Sequence, residues 1–428
     1  MDNVFDFRNR LINEYSSFSR SFSKVSAQDI LSKVELEYDR GRYWPEPLIQ
    51  INPNYKRQST VQQLAHEGML HASCSHIFQT GKTEGRAADL HLYVHQLQAL
   101  AKAQKQQSYV VTTGTGSGKS LAFFVPIIDR ILKAKQADPQ KRTRAIVIYP
   151  MNALANSQLE ELDKFLHGYP DDQKPFTVAR YTGQESDADR KQIADNPPDI
   201  LLTNFMMLEL ILTRFEDVDR RVVEHCQGLE FLVLDELHTY RGRQGADVAL
   251  LVRRLRERLQ AHQLVCIGTS ATMSSTGTQA DRNQTVASVA SLLFGAQITE
   301  HDVIGETLER VTNPAKDIEA VKSLLKPALL KESYHWPDFA AFSDDPLAVW
   351  VELSLGIELP LDEPPRRARP VTLGDAAKRL ADDAQCTVEE AHAGLQRFLV
   401  AAHDVKTPQG RAPFAFKLHQ FISGPGKV

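Results

Sequence analysis

Between residues 108 and 270 short apolar runs recur, separated by longer amphipathic stretches. The runs are SYVVT (108–112), RAIVIYP (144–150), FTVARYT (176–182), DILLT (199–203), FLVLDE (231–236) and LVCIGTS (264–270). They are rich in Val, Ile and Leu and lack the polar alternation of a half-exposed strand, the pattern of strands buried on both faces. The intervening SLAFFVPIIDRILKAK and NALANSQLEELDKFL read as helices. Strand–helix alternation of this kind predicts an α/β domain on a doubly wound parallel sheet.

The flanks read differently. Residues 61–79 space Val61, Leu64, Ala65 and Met69 like a helix, with a break near Gly68. Residues 284–295 close the alternating region as a helix ending at Gly295. The expected organisation is an N-terminal arm over 1–60, helical and then irregular, and the α/β domain over 61–310. A linker or irregular segment rich in prolines and acids follows over 311–370, and a small helical region over 371–428. Within the last, Thr387 and Glu390 have capping-box spacing, and the closing FKLHQFISGPGKV reads as the start of a further element.

Composition narrows the classes. With 42% hydrophobic and 24% charged residues the chain is globular rather than disordered. Fifty basic against 54 acidic residues, a net charge of -4, exclude a uniformly basic polycation but leave room for a local basic groove. Four cysteines without a CxxC exclude a sequence-local zinc knuckle and fit a reducing cytoplasm. The start MDNVFDFRNRLINEY carries acids and no apolar core, so no signal peptide is expected there. No run of about 18 apolar residues occurs, so no membrane span is expected and the localisation expected is cytoplasmic.

The chemistry is densest at Thr113-Gly114-Thr115-Gly116-Ser117-Gly118-Lys119-Ser120, between an expected strand and an expected helix. Glycines there let the backbone wrap phosphate oxygens, and the helix N-terminus adds oriented N–H groups. Lys119 is placed to neutralise β- and γ-phosphates and Ser120 to hold Mg²⁺. Thr113 stands where the usual pattern has its first glycine. At the end of FLVLDE, Asp235 is placed to hold Mg²⁺ through water and Glu236 to activate the attacking water. Gly268-Thr269-Ser270-Ala271-Thr272 follows the next strand, and its hydroxyls, assigned to Ser270 and Thr272, are placed to couple nucleotide state to movement.

Taken together TGTGSGKS, DELH and TSAT resemble motifs I, II and III of superfamily 2 helicases. Further segments are then similar to that family: LYVHQLQAL (92–100) to a Q-motif, YPMNALANSQ (149–158) to motif Ia, and ARYTG (179–183) and PDILLTNFMMLE (198–209) to the strand-contacting motifs after it. DELHTYRGRQGADVALLVRRLRERL resembles the DExH branch that includes DNA-repair and phage-defence helicases. The resemblance covers roughly residues 60–310 and implies a RecA-like phosphate-loop domain, the first of two motor domains. ATP and Mg²⁺ are the implied cofactors, with Thr115, Gly116, Ser117, Gly118, Lys119 and Ser120 around the nucleotide and Gln96 on the adenine edge. Pro150, Asn152, Thr182, Gly183, Thr203 and Asn204 match positions that grip a nucleic-acid backbone, with single-stranded DNA as the expected track.

After TSAT there is no second strand–helix array. The sequence is therefore expected to be a portion of a longer protein or one partner of a split system. The second motor domain would come from the remainder of the protein or from a partner chain, and hydrolysis by this chain alone would be slow. Two rival readings stay open: a double-strand translocase or remodeller in a phage-defence or restriction complex, and a non-enzymatic nucleic-acid or partner-binding module using residues 371–403. Arg241-Gly242-Arg243 reads as a loop shaping the next helix, and Arg253, Arg254, Arg256 and Arg258 as a solvated helix face. His95 and His238 have no partner at metal-ligand spacing.

Overall fold

A computed structural model describes residues 3–21, 25–40, 44–114, 116–270, 278–361 and 363–422. The chain forms two compact units, Tyr55–Thr307 and the joined segments Met1–Asn54 and Leu308–Val428. Among the described residues no helix is long and apolar enough to cross a membrane.

The Tyr55–Thr307 unit is the expected α/β, RecA-like domain. Its sheet consists of β1 (Tyr109–Thr112), β2 (Ala145–Tyr149), β3 (Val178–Tyr181), β4 (Ile200–Asn204), β5 (Phe231–Leu234), β6 (Val265–Ser270) and β7 (Val303–Gly305), in the order β7-β1-β6-β5-β2-β4-β3. Every pairing is parallel. Six of these strands coincide with the apolar runs to within a few residues. The seventh was not expected, because a three-residue strand carries too little pattern to stand out beside the helix before it.

Alternate strand residues enter two cores. Tyr109, Val111, Ala145, Val147, Leu202 and Val233 pack against helices α1 (Val94–Gln104), α2 (Leu121–Ala137) and α3 (Asn152–Leu166). Val110, Ile146, Ile148, Leu201, Leu232 and Leu234 face α4 (Asp187–Asp195), α5 (Phe205–Thr213), α6 (Asp217–His225), α7 (Gly242–Arg258) and α8 (Gln279–Phe294). Both faces are thus covered, which is why the strands are continuously apolar. Helix α8 ends as expected at Gly295, whose φ of +62° supplies the left-handed cap. The arginines of α7 are not merely solvated: Arg253 Nη1 donates to the Leu292 carbonyl at 3.2 Å and Arg256 Nη2 to the Phe294 carbonyl at 3.0 Å, tying α7 to α8.

The other unit differs from the reading of the flanks. The Pro-bearing stretch after the N-terminal helices Val4–Ser21 and Gln28–Asp39 contains the strand Leu48–Asn52. That strand lies between Val371–Thr372 and Ala415–His419 in an antiparallel sheet, with Ile49 and Ile51 each 1% exposed. Residues 311–370, expected as linker, contribute the helices Ile318–Leu329 and Pro346–Val351 to a buried core. Trp350 is fully buried there and donates to Asp383 at 2.8 Å. Glu352 is buried too, accepting from Val311 N at 2.7 Å and Thr312 N at 2.8 Å. The prolines and acids are helix starts and buried anchors: Asp345 caps the helix that opens with Pro346. Helices Leu373–Ala384 and Val388–Asp404 occupy the expected helical region, and Thr387 and Glu390 form the capping box.

Candidate functional site

The sheet order places three candidate segments side by side at the carboxyl edge. The loop after β1 carries Gly114–Ser120, β6 ends at Thr269 and Ser270, and β5 runs into Asp235 and Glu236. Within the loop Gly116 and Gly118 have φ of +82° and +67°, left-handed values that glycine adopts without strain. Thr115 lies outside the described residues. Thr113, in place of the usual glycine, is fully buried and shares a 2.6 Å hydrogen bond with the buried Ser117 hydroxyl, bracing the base of the loop. Ser120 sits at the N-cap of α2 and makes no capping bond with its side chain.

Helix α1 grips the loop from below with two consecutive side chains. His95 Nε2 lies 3.0 Å from the Ser117 carbonyl, and Gln96 Nε2 donates to the Gly118 carbonyl at 2.9 Å. Burial pushes the His95 pKa down to about 4, so the ring is neutral and carries its proton on Nε2. A Cβ on Gly118 would lie 2.7 Å from Gln96 Nε2, so this approach also requires glycine. Gln96 thus bears directly on the loop. Its oxygen accepts from Tyr93 N at 2.9 Å and its amino group holds the loop, and the side chain is 2% exposed. In this structure it positions the phosphate loop. A further contact comes from Glu306, just past β7, whose carboxylate accepts from Gly114 N at 3.0 Å.

Lys119 Nζ lies 3.5 Å from Glu236 Oε1, which brings the loop and the acidic pair into one site. Glu236 has a left-handed backbone, φ +53°, and such strain in a non-glycine residue is concentrated at functional positions. Asp235 continues the β5 ladder, its N donating to the Ile148 carbonyl at 3.0 Å. Burial raises the Asp235 pKa, and the hydrogen bond from Thr269 is the largest opposing influence. The Thr269 hydroxyl serves both acids: it donates to Asp235 Oδ1 and accepts from Glu236 N at 3.1 Å. Ser270 Oγ lies 3.4 Å from His238 Nδ1, which in turn lies 3.3 Å from Glu236 Oε2, and Thr272 lies outside the described residues. The hydroxyl that meets the acidic pair is thus Thr269, which the sequence reading passed over. The donor set suits a nucleoside triphosphate with Mg²⁺: glycine backbone and a lysine for phosphates, a hydroxyl and a carboxylate for the cation.

The six nucleic-acid candidates cluster at the other half of the same edge, after β2, β4 and β3. Asn204 caps α5 through Met207 N at 2.7 Å and donates to Asn152 Oδ1 at 2.7 Å and to the Thr182 carbonyl at 3.1 Å. Pro150 is partly exposed beside them. Thr203 is corrected: it is fully buried and its hydroxyl donates to the Tyr181 carbonyl at 2.7 Å, so it presents nothing at the surface. The amides of Thr182 and Gly183 donate to Glu185 at 2.7 and 2.9 Å, and Arg180 Nε donates to the same carboxylate at 2.6 Å. That cradle has the composition of a phosphate site, and a carboxylate of the chain itself sits in it. Glu185 was not singled out from the sequence; its position two residues after Thr-Gly was the available signal.

At the opposite, amino-terminal end of the strands lies a cavity of about 570 Å³ lined by Arg130, Arg142, Glu230 and Gln260 among others. Its charges neutralise one another, with Arg130 and Arg142 at 2.6 and 2.9 Å from Glu230, and it is remote from the phosphate loop.

Residues 93–280 match the DEAD/DEAH box helicase family. The chain is 34% identical over 186 residues to the uncharacterized ATP-dependent helicase YprA of Bacillus subtilis, which covers 43% of this chain and 23% of that protein. It is 32% identical to the Lhr helicase/uracil glycosylase of Escherichia coli, over 40% of this chain and 12% of that one. The chain thus spans less than a quarter of the length of these relatives. The crystal structure of the DUF1998 helicase MrfA bound to DNA aligns with 65% of this chain and 35% of its own, at 24% identity and a TM-score of 0.45.

Proposed function

The chain carries a DEAD/DEAH box helicase domain over residues 93–280, and from that premise we propose that it is the ATP-binding first motor domain of a helicase or translocase that couples ATP hydrolysis to movement on nucleic acid. The carrying observation is the convergence of Lys119, Asp235, Glu236 and Thr269 at adjacent strand ends, with Lys119 and Glu236 3.5 Å apart.

Gly116, Ser117, Gly118, Lys119 and Ser120 cradle the phosphates, and Lys119 leaves Glu236 to neutralise them. Ser120 and, through water, Asp235 would hold Mg²⁺, which would supply neutralisation of charge on the phosphate oxygens. Glu236, released from Lys119, orients and deprotonates the attacking water. Asn152, Asn204 and the Thr182–Gly183 turn hold the backbone of a single strand of DNA. Pro150 shapes the chain between β2 and α3.

A second motor domain, from the rest of the protein or a partner chain, supplies arginines that stabilise the transferred phosphoryl group. An arginine finger contributes about 10³–10⁵ in rate, so turnover by this chain alone is slow. The test is nucleotide affinity and turnover with and without single-stranded DNA. Lys119→Ala abolishes nucleotide binding, and Glu236→Gln binds without turnover; binding unaltered in Lys119→Ala overturns the site. Strand displacement by the complete assembly separates an unwinding motor from a double-strand translocase.

A further inference from the structure

The phosphate loop is rich in the residue that holds a shape least. Gly114, Gly116 and Gly118 alternate along it, and glycine gives up more conformational freedom on ordering than any other residue. Such a loop binds phosphates tightly only when its shape is set before the ligand arrives. Its hydrogen bonds show where that shape comes from. The outgoing end is held by α1, through His95 on the Ser117 carbonyl at 3.0 Å and Gln96 on the Gly118 carbonyl at 2.9 Å. The incoming end is held from just past β7, where Glu306 Oε2 accepts from Gly114 N at 3.0 Å.

The two holds belong to one braced piece. Toward the end of α1, Lys102 Nζ donates to Asp302 Oδ1 at 2.6 Å, immediately before β7. At the start of α1, Val94 N donates to the Lys56 carbonyl at 3.1 Å, and Lys56 N donates to the Thr307 carbonyl at 2.9 Å, immediately after Glu306. Helix α1 and the β7 segment are therefore tied together at both ends. Strand β7 also pairs in parallel with β1, Gly305 opposite Thr112. Glu306 stands one residue past that pair on its strand and Gly114 two residues past it on the other, so the carboxylate meets the loop from a backbone fixed on either side.

We propose that Glu306 is a positioning residue for nucleotide binding. By accepting from Gly114 N it fixes the incoming end of the loop, as α1 fixes the outgoing end, and keeps the loop in its phosphate-binding shape while no nucleotide is present. The proposal rests on the loop being the seat of a nucleoside triphosphate. The oxygen acts here as an acceptor and not through its charge, because a negative charge beside a phosphate site repels the ligand.

Glu306→Gln and Glu306→Ala remove the same charge, and only glutamine keeps an acceptor oxygen, so the difference between them isolates the hydrogen bond. A fluorescent ATP analogue with Mg²⁺ gives the affinity of each variant of this chain. Its displacement by tripolyphosphate reports on the phosphates alone, and thermal unfolding checks the fold. Glu306→Gln binds the analogue at least as tightly as the unaltered chain. Glu306→Ala binds it about five- to tenfold more weakly than Glu306→Gln, the size of one hydrogen bond, and tripolyphosphate shows the same ratio. Equal affinity in the two variants overturns the proposal. So does weaker binding by Glu306→Gln than by the unaltered chain, or a loss with the analogue that tripolyphosphate does not share. Undiminished binding by Lys119→Ala removes the loop as the phosphate seat, and the role of Glu306 with it. Binding lost in Lys119→Ala but equal in the two Glu306 variants keeps the seat and overturns the positioning role alone.

Discussion

Thr269→Val is the sharpest test of how the acidic pair is organised. Valine keeps the volume and β-branching of threonine on β6, so the change removes one hydroxyl. That hydroxyl donates to Asp235 Oδ1 and accepts from Glu236 N at 3.1 Å, and the residue is fully buried, so bulk water does not replace it. A hydrogen bond to a charged group contributes about 1.5–3 kcal/mol, and a buried amide left unsatisfied costs about 1–3 kcal/mol. With partial relaxation the expected destabilisation is about 3 kcal/mol. The loss depends on pH. Burial already holds the Asp235 pKa above its ordinary value, with the Thr269 bond opposing. A group whose folded pKa exceeds its unfolded one lends stability below the unfolded value and loses it as pH rises through the folded one. Removing the hydroxyl raises the folded value further, so the deficit is larger at pH 8 than near pH 4. Urea unfolding of both proteins at the two pH values measures this, and Mg²⁺-dependent binding of a fluorescent ATP analogue weakens in parallel. A deficit below about 0.5 kcal/mol, the ordinary scatter of neutral substitutions, or one independent of pH, refutes the reasoning. So does an equal effect of Ser270→Ala.

Three further outcomes follow from the same geometry. Gly118→Ala places a Cβ 2.7 Å from Gln96 Nε2 at a φ of +67°; left-handed strain of about 1–2 kcal/mol and a lost hydrogen bond of about 1 kcal/mol weaken both folding and nucleotide binding, and Gln96→Ala in the same chain relieves only the clash, as a double-mutant cycle in urea would report. His95 titrates near pH 4 when folded and near 6.5 when unfolded, so the unfolded chain takes up the proton first: stability is full above about pH 6.5 and falls toward pH 4 by up to on the order of 3 kcal/mol. His95→Gln loses this slope, and an unchanged slope assigns it elsewhere. Glu185→Gln removes the negative charge from the cradle formed by Arg180 Nε, Thr182 N and Gly183 N, so affinity for single-stranded DNA rises several-fold at low salt and the gain shrinks as salt is added; no gain at low salt argues against a strand at this turn.

The sheet was legible because buried parallel strands write themselves locally, as continuous apolar runs. The second unit was not. Ile49 and Ile51 pair with Leu418 and Phe416, partners at the far end of the chain, and three prolines between residues 45 and 53 obscure the short alternation that marks the strand. Likewise Asp345 and Glu352, read as linker acids, are buried acceptors of backbone amides; the sequence displays their charge but not the amides that meet it. The phosphate loop was visible as a string, yet three of its supports, His95, Gln96 and Glu306, act from outside it on Ser117, Gly118 and Gly114.

The burial of Thr203 and the direction of Ser270 have one cause, the two-residue period of a strand. Leu234 pairs with Gly268, so the next position along puts Thr269 beside Asp235, and the pleat turns Ser270 to the other face, toward His238. The same rule separates Thr203, turned inward onto the Tyr181 carbonyl, from Asn204, which reaches Asn152 at the sheet edge. Adjacent polar residues at a strand end are equivalent as letters and opposite as structure, and only the inter-strand register says which one meets Asp235 and which one meets His238. Register is fixed by the packing of both cores at once, so a substitution shifting β6 by one residue would exchange Thr269 for Ser270 at the acidic pair and bury the wrong face of the strand. Thr269 is therefore the residue of the TSAT segment whose hydroxyl joins β6 to the Asp235 carboxylate and the Glu236 backbone amide.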